Sequence, residues 1–420
     1  MKNVILLSVD ALRADHLSCY GYQRETSPFL DEFADSNVFF EYPYSASSNT
    51  REAVPALITG QYPDTAIGSD YKLDTQTIAS TLSKEGYSTA AFHSNPYASR
   101  AFGTDDGFDT YDDDLHFGKN KLIALAQRAL DKIRNKHYVR ADGINERSLK
   151  WIDNREEDDP FFLWNHYMDV HGPYEPPSEF RELFENRSIS DRKAQRLYLR
   201  AVRDPQSVTD SEQEFLINLY DGEIRYTDSH IESFLANLEE RDLLEESLII
   251  ITSDHGDAFG EHGYYEHPRH LHDELTYVPL LLKSPEVDAD RYSETPVSML
   301  DIAPTIFDYA GISVDCPGES LFSLLSDPPK ERVVFSQARG EKSESHMRRF
   351  SARSIDSKAL GEWNSNTEQT EITETGSREV TEKLREHISH RTSETDVVND
   401  LDEVDDDEIE RRLSALGYKE

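Results

Sequence analysis

Short apolar runs alternate with amphipathic segments along most of the chain. Residues 4–9 form an apolar run that ends at Asp10, which is typical of a strand buried on both faces of a parallel sheet. Residues 77–86 have the periodicity of an amphipathic helix with Gly86 as its stop, and residues 217–238 are also periodic as a helix. Further runs predict strands at residues 88–93, 161–167, 247–252 and 278–282.

Strands that alternate with helices predict an α/β fold: a doubly wound, mostly parallel sheet flanked by helices, with a small C-terminal part. Ligands of such sheets bind at the carboxyl ends of the strands. Asp10, Asp169 with His171, and Asp254 with His255 all closely follow predicted strands. Such residues are common in loops, but their repeated occurrence after strands predicts a functional site at one edge of the sheet.

The pattern changes after about Asp327. We expect a main domain over residues 1–327 and an acidic, Ser/Thr-rich C-terminal region over residues 328–420 that partly returns to the core. The individual expectations for that region are a strand at 331–335, exposed turns, a hairpin or partial disorder at 340–381, a solvated acidic run at 395–410, and a short helix at 409–418.

The charge balance is strongly acidic, with 44 Lys and Arg against 82 Asp and Glu and a net charge of −38. Nucleic acids and anionic membranes would be repelled, so neither is an expected partner. The acidic residues are spread over the chain, which is typical of a surface that stays solvated at high salt and predicts a halophilic host. The charge therefore says little about the substrate.

Cysteine usage and hydropathy bear on location. Cys19 and Cys316 cannot form a disulfide framework and lack metal-ligand spacing. The apolar N-terminal run is short, lacks a cleavage site and leads into a charged motif, so it predicts a strand and not a signal peptide. No segment has 18 or more apolar residues, so we expect no integral membrane segment and a cytoplasmic location.

Two motifs place metal-binding side chains directly after strands. The densest is residues 253–263, where Asp254 and His255 offer an oxygen and a nitrogen ligand side by side, three glycines allow close backbone approach, and His262 adds a further candidate. Asp10 opens the other motif, where a carboxylate could bind a hard cation or zinc. The alternative for Asp10 is a helix N-cap, with Arg13 paired to Asp15.

Two further motifs supply histidines. Residues 165–174 place Asp169 and His171 in a loop stiffened by prolines. His267, His270 and His272 form a cluster that is either part of a metal site or a polar loop.

Thr50 precedes an apolar segment that reads as a helix, in the sequence Ser47-Ser48-Asn49-Thr50-Arg51-Glu52. A hydroxyl there is usually an N-cap, yet a helix N-terminus also favours an anion. A threonine hydroxyl deprotonated on a metal would be a nucleophile, and Arg51 could pair with the non-bridging oxygens of an ester.

These motifs, in this order, resemble those of the sulfatase family within the alkaline phosphatase superfamily. The resemblance covers roughly residues 1–325 and rests on motifs that are individually modest but specific as an ordered set. The motifs that carry it are Asp10 with 12–17 and 20–22, 57–60 with 62–63, 171–174, 252–256 with 260–263, 273–274 with 278–280, and Asp301 with 304–305.

The resemblance implies a divalent ion (Ca, Mg, Mn or Zn) in one site, with a second site left open. It implies metal ligands at Asp10, Thr50, Asp254 and His255. A second ion would use Asp169, His171, His262 and His267. The implied catalytic residues are Thr50, His171, His267 and His270, and the candidate substrate-binding residues are Arg51, Asn49 and Arg13.

The chain departs from the sulfatase pattern at Thr50, where formylglycine sulfatases carry Cys or Ser in a Cys-x-Pro-Ser-Arg signature, and at Ala11, where many carry a further Asp. Threonine cannot become formylglycine, but phosphodiesterase and phosphoglycerol-transferase branches of the superfamily use threonine. We expect a metal-dependent hydrolase of a sulfate or phosphate ester of a small molecule or glycan. The alternatives are a phosphodiesterase or phosphoglycerol-type transferase acting on glycans or lipids, a non-catalytic metal-binding homologue, and an interaction protein.

Overall fold

The computed structural model describes residues 2–114, 138–155, 159–187, 189–287 and 291–393. Its strands are β1 (Asn3–Val9), β2 (Val38–Phe40), β3 (Pro43–Tyr44), β4 (Ser88–Phe92), β5 (Thr110–Asp112), β6 (Phe161–Tyr167), β7 (Ser247–Ser253), β8 (Ala258–Phe259), β9 (Tyr265–Glu266), β10 (Leu280–Lys283), β11 (Arg291–Ser293), β12 (Val297–Ser298), β13 (Val334–Arg339), β14 (Met347–Arg353), β15 (Lys358–Asn364) and β16 (Gln369–Glu374).

The helices lie between these strands and after the last of them. They are α1 (Pro28–Ser36), α2 (Thr50–Thr59), α3 (Pro63–Ala66), α4 (Ile78–Lys84), α5 (Ala141–Asn154), α6 (Ser178–Phe184), α7 (Asp191–Arg203), α8 (Asp210–Glu239), α9 (Asp273–Thr276), α10 (Ile302–Ala310), α11 (Leu321–Ser326) and α12 (Arg378–Ser393). No helix among the described residues is both long and apolar enough to span a bilayer.

Eight strands form one sheet in the order β11-β2-β10-β7-β1-β6-β4-β5. Its central strands β7, β1, β6 and β4 are parallel, whereas β10 runs antiparallel to both of its neighbours. The predicted α/β fold with a mostly parallel sheet flanked by helices is therefore confirmed. The five predicted strands in this sheet are present with ends shifted by at most two residues, an ordinary boundary uncertainty.

Hydrophobic cores cover both faces of this sheet, which explains why its central strands read as apolar runs. In β1, Ile5 and Leu7 pack into one core, and Val4 and Leu6 pack into the other. Because alternate side chains point to opposite faces, a continuous apolar sequence buries both. The carboxyl ends of β1, β6 and β7 meet at one edge, and the residues that follow them form the candidate site.

The region after β12 is more ordered than the sequence predicts. Strands β13 to β16 form a four-stranded antiparallel sheet, and α12 packs on it. Of the alternatives expected at 340–381, the hairpin is found, because β14 and β15 pair antiparallel across a short turn, whereas partial disorder is wrong for the strands described there. Alternate residues such as Phe350 and Ala352 bury against Leu384 and Ile388 of α12, a pairing of distant segments that local periodicity does not reveal.

This second sheet contacts the loop between β3 and α2. The backbone N–H of Gln337 donates to the Ala46 carbonyl, and Ser336 Oγ donates to the Ser45 carbonyl. The strand expected at 331–335 is found at β13, three residues later, because its pairing with β14 fixes the register. The predicted acidic run at 395–410 and helix at 409–418 lie outside the described residues, and the division at residue 327 stays a prediction.

Candidate active site

Asp10 stands directly after β1, with its carboxylate fully buried. Its Oδ2 accepts a 2.5 Å hydrogen bond from Asn95 Nδ2 and lies 3.5 Å from His166 Nε2. The next residue, Ala11, has a positive φ of 59°, a strained conformation of the kind that occurs at functional sites. Burial raises the pKa of Asp10, but His171 and His166 outweigh it and hold the pKa below its usual value.

Asp254 and His255 follow β7 and are also fully buried. Asp254 Oδ1 accepts hydrogen bonds from the backbone N–H groups of Ala11 and His255, at 3.3 and 3.0 Å. His255 Nδ1 donates to the Gly256 carbonyl at 2.8 Å, which fixes the tautomer and leaves Nε2 as an acceptor. A Cβ at Gly256 would lie 2.1 Å from the Glu274 carbonyl oxygen, so this turn requires glycine.

Thr50 is the first residue of α2, and Asn49 is the N-cap. The Thr50 side chain is buried, and its Oγ1 lies 3.1 Å from His255 Nε2. The N-terminus of a ten-residue helix favours negative charge at this hydroxyl. The sequence alternative, in which Thr50 is merely an N-cap, does not describe this geometry because Asn49 occupies that position.

Asp10, Asp254 and His255 form the one group of three metal-binding side chains that the described residues assemble, with donor atoms within 4.8 Å of one another. Asp10 Oδ1 and Asp254 Oδ2 are buried without a hydrogen-bond partner in the described part of the chain. Burial and the neighbouring Asp10 raise the pKa of Asp254. Two buried carboxylates with unpartnered oxygens, an imidazole nitrogen and an adjacent hydroxyl fit a divalent cation.

His171 and His267 lie beside this group. The ring centroids of His267 and His255 are 4.5 Å apart, and those of His267 and His171 are 4.9 Å apart. His171 Nδ1 donates to the Gly172 carbonyl at 2.6 Å, so its Nε2 is an acceptor. Burial lowers the pKa of His171 to about 4 and lowers that of His267 well below its usual value, so both imidazoles are neutral at neutral pH.

Three side chains that the sequence analysis did not select support the site. Asn95 and His166 contact Asp10, and His166 is oriented by Ser8 Oγ at 2.9 Å from its Nδ1. Asp257 accepts a short hydrogen bond from the Tyr174 hydroxyl and has Oδ1 3.6 Å from His267 Nδ1. The signal for Asp257 and His166 was their place within the quoted motifs, whereas nothing in the sequence pointed to Asn95.

The four residues proposed for a second ion are not brought together. His171 and His267 are adjacent, but Asp169 Oδ1 accepts a 2.7 Å hydrogen bond from Arg140 Nε. His262 Nδ1 lies 2.7 Å from Glu274 Oε1. Asp169 is turned towards an arginine, and His262 is held by a carboxylate of its own.

His270 lies with His262 rather than with the metal-binding group. Its ring stacks on Tyr264 with centroids 5.2 Å apart, and His262 stacks on His272 at 3.7 Å. Of the four histidines proposed between residues 262 and 272, only His267 contacts the rings at the candidate site.

The candidate substrate-binding residues also differ in placement. Arg13 pairs with Asp15, as one sequence alternative held, and it also pairs with Glu261. Asn49 occupies the N-cap position of α2 beside Thr50, without a capping hydrogen bond from its side chain. The Arg51 guanidinium lies over the ring of Tyr97, 4.3 Å from its centroid, and forms no ion pair with a carboxylate of the described residues.

Comparison with known proteins gives a consistent result. The family model for sulfatases matches residues 2–312. The chain is 22% identical to an N-acetylglucosamine-6-O-sulfatase of Bacteroides thetaiotaomicron, covering 80% of this chain and 73% of that protein. It is 24% identical to an arylsulfatase of Clostridium perfringens, covering 77% and 78%.

Solved structures share the fold. A phosphonate monoester hydrolase of Agrobacterium radiobacter superimposes with a TM-score of 0.71 at 17% identity, covering 94% of this chain and 96% of that chain. A protein solved in complex with its substrate D-glucosamine-2-N,6-O-disulfate gives 0.70 at 17% identity, covering 95% and 99%. At this identity the likeness establishes the alkaline-phosphatase-like fold alone.

Proposed function

The chain belongs to the sulfatase family and is a hydrolase of sulfate or phosphate esters, and we propose that it works with one divalent ion and with the Thr50 hydroxyl as its nucleophile. One observation carries this proposal. Thr50 Oγ1 lies 3.1 Å from His255 Nε2, in a buried group whose two carboxylates have unpartnered oxygens in the described part of the chain. A nucleophile and a cation site therefore coincide at the N-terminus of α2.

Asp10, Asp254, His255 and Thr50 would hold the ion. When bound, it would neutralise the two carboxylates, lower the pKa of the Thr50 hydroxyl and offset negative charge on the ester. Asn95 and His166 keep Asp10 in place, and the Gly256 carbonyl keeps His255 Nε2 turned towards Thr50. These supporting contacts belong to buried side chains, so the arrangement exists before substrate binds.

Thr50 would attack the sulfur or phosphorus atom in line with the leaving alcohol. An Oγ1–S or Oγ1–P bond forms, the bond to the leaving oxygen breaks, and that oxygen takes a proton. Because threonine has a single side-chain hydroxyl, the covalent ester must be resolved by attack of water on the same sulfur or phosphorus atom. That second step regenerates Thr50 and releases sulfate or phosphate, or a phosphate monoester if the substrate is a diester.

His171 and His267 are placed to handle the protons. Both are neutral, and Nε2 of His171 is an acceptor, so it can take a proton from water or from Thr50 and return it to the leaving oxygen. Asp257 Oδ1 lies 3.6 Å from His267 Nδ1. The substrate bound by one structural neighbour, a disulfated glucosamine, favours a glycan ester as the substrate class to test first.

The test uses an aryl sulfate, a phosphate monoester and a phosphate diester with the wild type, Thr50→Ala and Thr50→Ser. Each is assayed with manganese, zinc, magnesium or calcium and again after chelation. We expect chelator-sensitive turnover, a loss of kcat of roughly a thousandfold or more in Thr50→Ala, and partial recovery in Thr50→Ser. Thr59→Ala is the matched control, because Thr59 ends the same helix and its hydroxyl contacts only backbone groups, donating to the Pro55 carbonyl and accepting from the Gln61 N–H.

Full activity in Thr50→Ala would contradict the nucleophile assignment, and full activity after complete metal removal would contradict the ion. The same assays with added polyol separate hydrolysis from transfer. Transfer of the sulfuryl or phosphoryl group to the polyol in preference to water would replace the hydrolase with the transferase alternative.

A further inference from the structure

Three arginine side chains surround the buried ring of Tyr71. The guanidinium carbons of Arg51, Arg269 and Arg339 lie 5.2, 5.4 and 4.9 Å from its centroid. Such a concentration of positive charge is unusual in a chain with a net charge of −38, where acidic partners are abundant. Glu52 and Glu341 are the acidic neighbours of Arg269, so two carboxylates face three guanidinium groups, and the excess positive charge favours an anion.

Two of these arginines have evident structural tasks. Arg339 donates to the carbonyls of Ile67 and Gly68, which ties β13 to the loop that carries Tyr71. Arg269 Nη1 donates to the Tyr71 hydroxyl at 2.6 Å and to the Gly340 carbonyl at 3.0 Å.

Arg269 retains donors beyond these two bonds. Its Nε lies 3.8 Å from Glu341 Oε2, a distance that leaves a weak ion pair, and its Nη2 donates to no residue in the part of the chain that the structure describes. Part of the Arg269 fork is therefore open to a ligand.

Arg51 differs from both because aromatic rings hold it and no carboxylate pairs with it among the described residues. Its guanidinium lies 4.3 Å from the Tyr97 ring centroid and 5.2 Å from that of Tyr71. Its Nε is buried and meets no acceptor in the described ranges. Tyr97 also accepts a side-chain hydrogen bond from Arg51, so its ring and hydroxyl orient the guanidinium while Nε keeps no protein acceptor in the described ranges.

The position of this cluster links it to the reacting groups. Arg51 directly follows Thr50, and Arg269 is two residues after His267. Tyr97 is two residues after Asn95, whose side chain contacts Asp10. The same three segments thus supply the proposed chemistry and the arginines around Tyr71.

We propose that Arg51 and Arg269, held by Tyr71 and Tyr97, form a subsite for a second anionic group on the substrate, a carboxylate, sulfate or phosphate carried by the alcohol portion of the ester. The inference rests on the proposed function, because it places the reacting ester at Thr50. It makes the substrate at least a dianion. The guanidinium fork matches the two oxygens of such a group.

Equilibrium binding tests this without turnover. The probes are 4-carboxybenzylphosphonate and 4-carbamoylbenzylphosphonate, which share a phosphonate for the reacting position and differ only in the second charge. Calorimetry on the metal-loaded wild type should give about tenfold tighter binding of the carboxylate. Arg51→Met should remove that preference while leaving the affinity for the carbamoyl probe nearly unchanged, and Arg269→Met should reduce it.

Arg192→Met is the control, because it removes the same charge from an exposed position on α7 and should keep the tenfold preference. Equal affinities for the two probes in the wild type would overturn the subsite. Equal weakening of both probes in Arg51→Met would overturn it as well and assign Arg51 to the reacting ester. A clear preference in a protein that hydrolyses no ester would support the subsite and count against the proposed function, whereas failure to bind either probe would contradict both.

Discussion

Two buried acidic clusters lie near the carboxyl edge of the main sheet, and they neutralise their charge in different ways. In the first, here the arginine cluster, Asp169 and Glu223 share Arg140, with Arg140 Nε 2.7 Å from Asp169 Oδ1 and Nη2 in a short contact with Glu223. In the second, here the metal cluster, Asp10 and Asp254 have only histidines as positively ionisable neighbours among the described residues.

This difference separates a structural site from a functional one. Burying a carboxylate is costly unless a cation or hydrogen bonds compensate. The arginine cluster carries its own cation and joins α5, α8 and the loop after β6. The metal cluster leaves Asp10 Oδ1 and Asp254 Oδ2 without partners in the described part of the chain, which is why we propose that an ion from solution compensates them.

The largest effect should come from removing the internal cation. Arg140→Met leaves two carboxylates buried without it and should lower the free energy of unfolding by about 3–5 kcal/mol. Denaturant titration measures this. Arg147→Met is the control on the same helix, because its partners Asp112 and Asp114 are partly exposed and the cost should stay below about 1 kcal/mol. An equal loss of unfolding free energy in the two variants would contradict the view that Arg140 compensates the two buried carboxylates.

The second effect concerns pH. Burial raises the pKa of Glu223 from its usual 4.5 to about 7, so the folded state retains a proton that the unfolded state has lost. Its contribution to stability is fully present below about pH 4.5 and is lost as the pH rises through about 7. The free energy of unfolding of the wild type, relative to Glu223→Gln, should fall across that window by up to about 1.4 kcal/mol per pH unit. A difference that rises with pH would contradict this assignment.

The smallest effect should have the opposite sign from the first. In chelated protein, Asp254→Asn removes one of two adjacent buried charges while its Oδ1 still accepts from Ala11 and His255, so stability should rise by about 1 kcal/mol. Asp301→Asn is the matched control, because both oxygens of Asp301 accept from Arg332, and it should cost about 2 kcal/mol. A loss of similar size at Asp254 would indicate that its charge is already compensated.

Much of the fold follows from local pattern. The strands β1, β6 and β7 are apolar runs because both faces of the sheet are covered. A run of that length can be recognised in the sequence without knowledge of its partner strand. The local sequence pattern does not predict the sheet of β13 to β16 in the same way. Its buried residues, such as Phe350 and Ala359, are small in number and gain their role only from α12, which follows later in the chain.

The candidate site divides along the same line. Asp10 follows β1, and Asp254 and His255 follow β7. These two strands are paired at the centre of the sheet, so the α/β pattern predicts that the three side chains converge. Asp169 follows β6, an equally central strand, so the same pattern predicts that it joins Asp10 and Asp254. Its separation depends on Arg140, which lies outside every motif and approaches through tertiary packing.

The most direct test is a calorimetric titration of the chelator-treated protein with manganese or zinc, followed by metal analysis of the titrated protein. The account predicts one ion bound per chain, loss of that binding in Asp254→Asn, and undiminished binding in Asp169→Asn. Absence of binding in the wild type, or binding of equal affinity in wild type and Asp254→Asn, would contradict the claim that Asp10, Asp254 and His255 hold the ion.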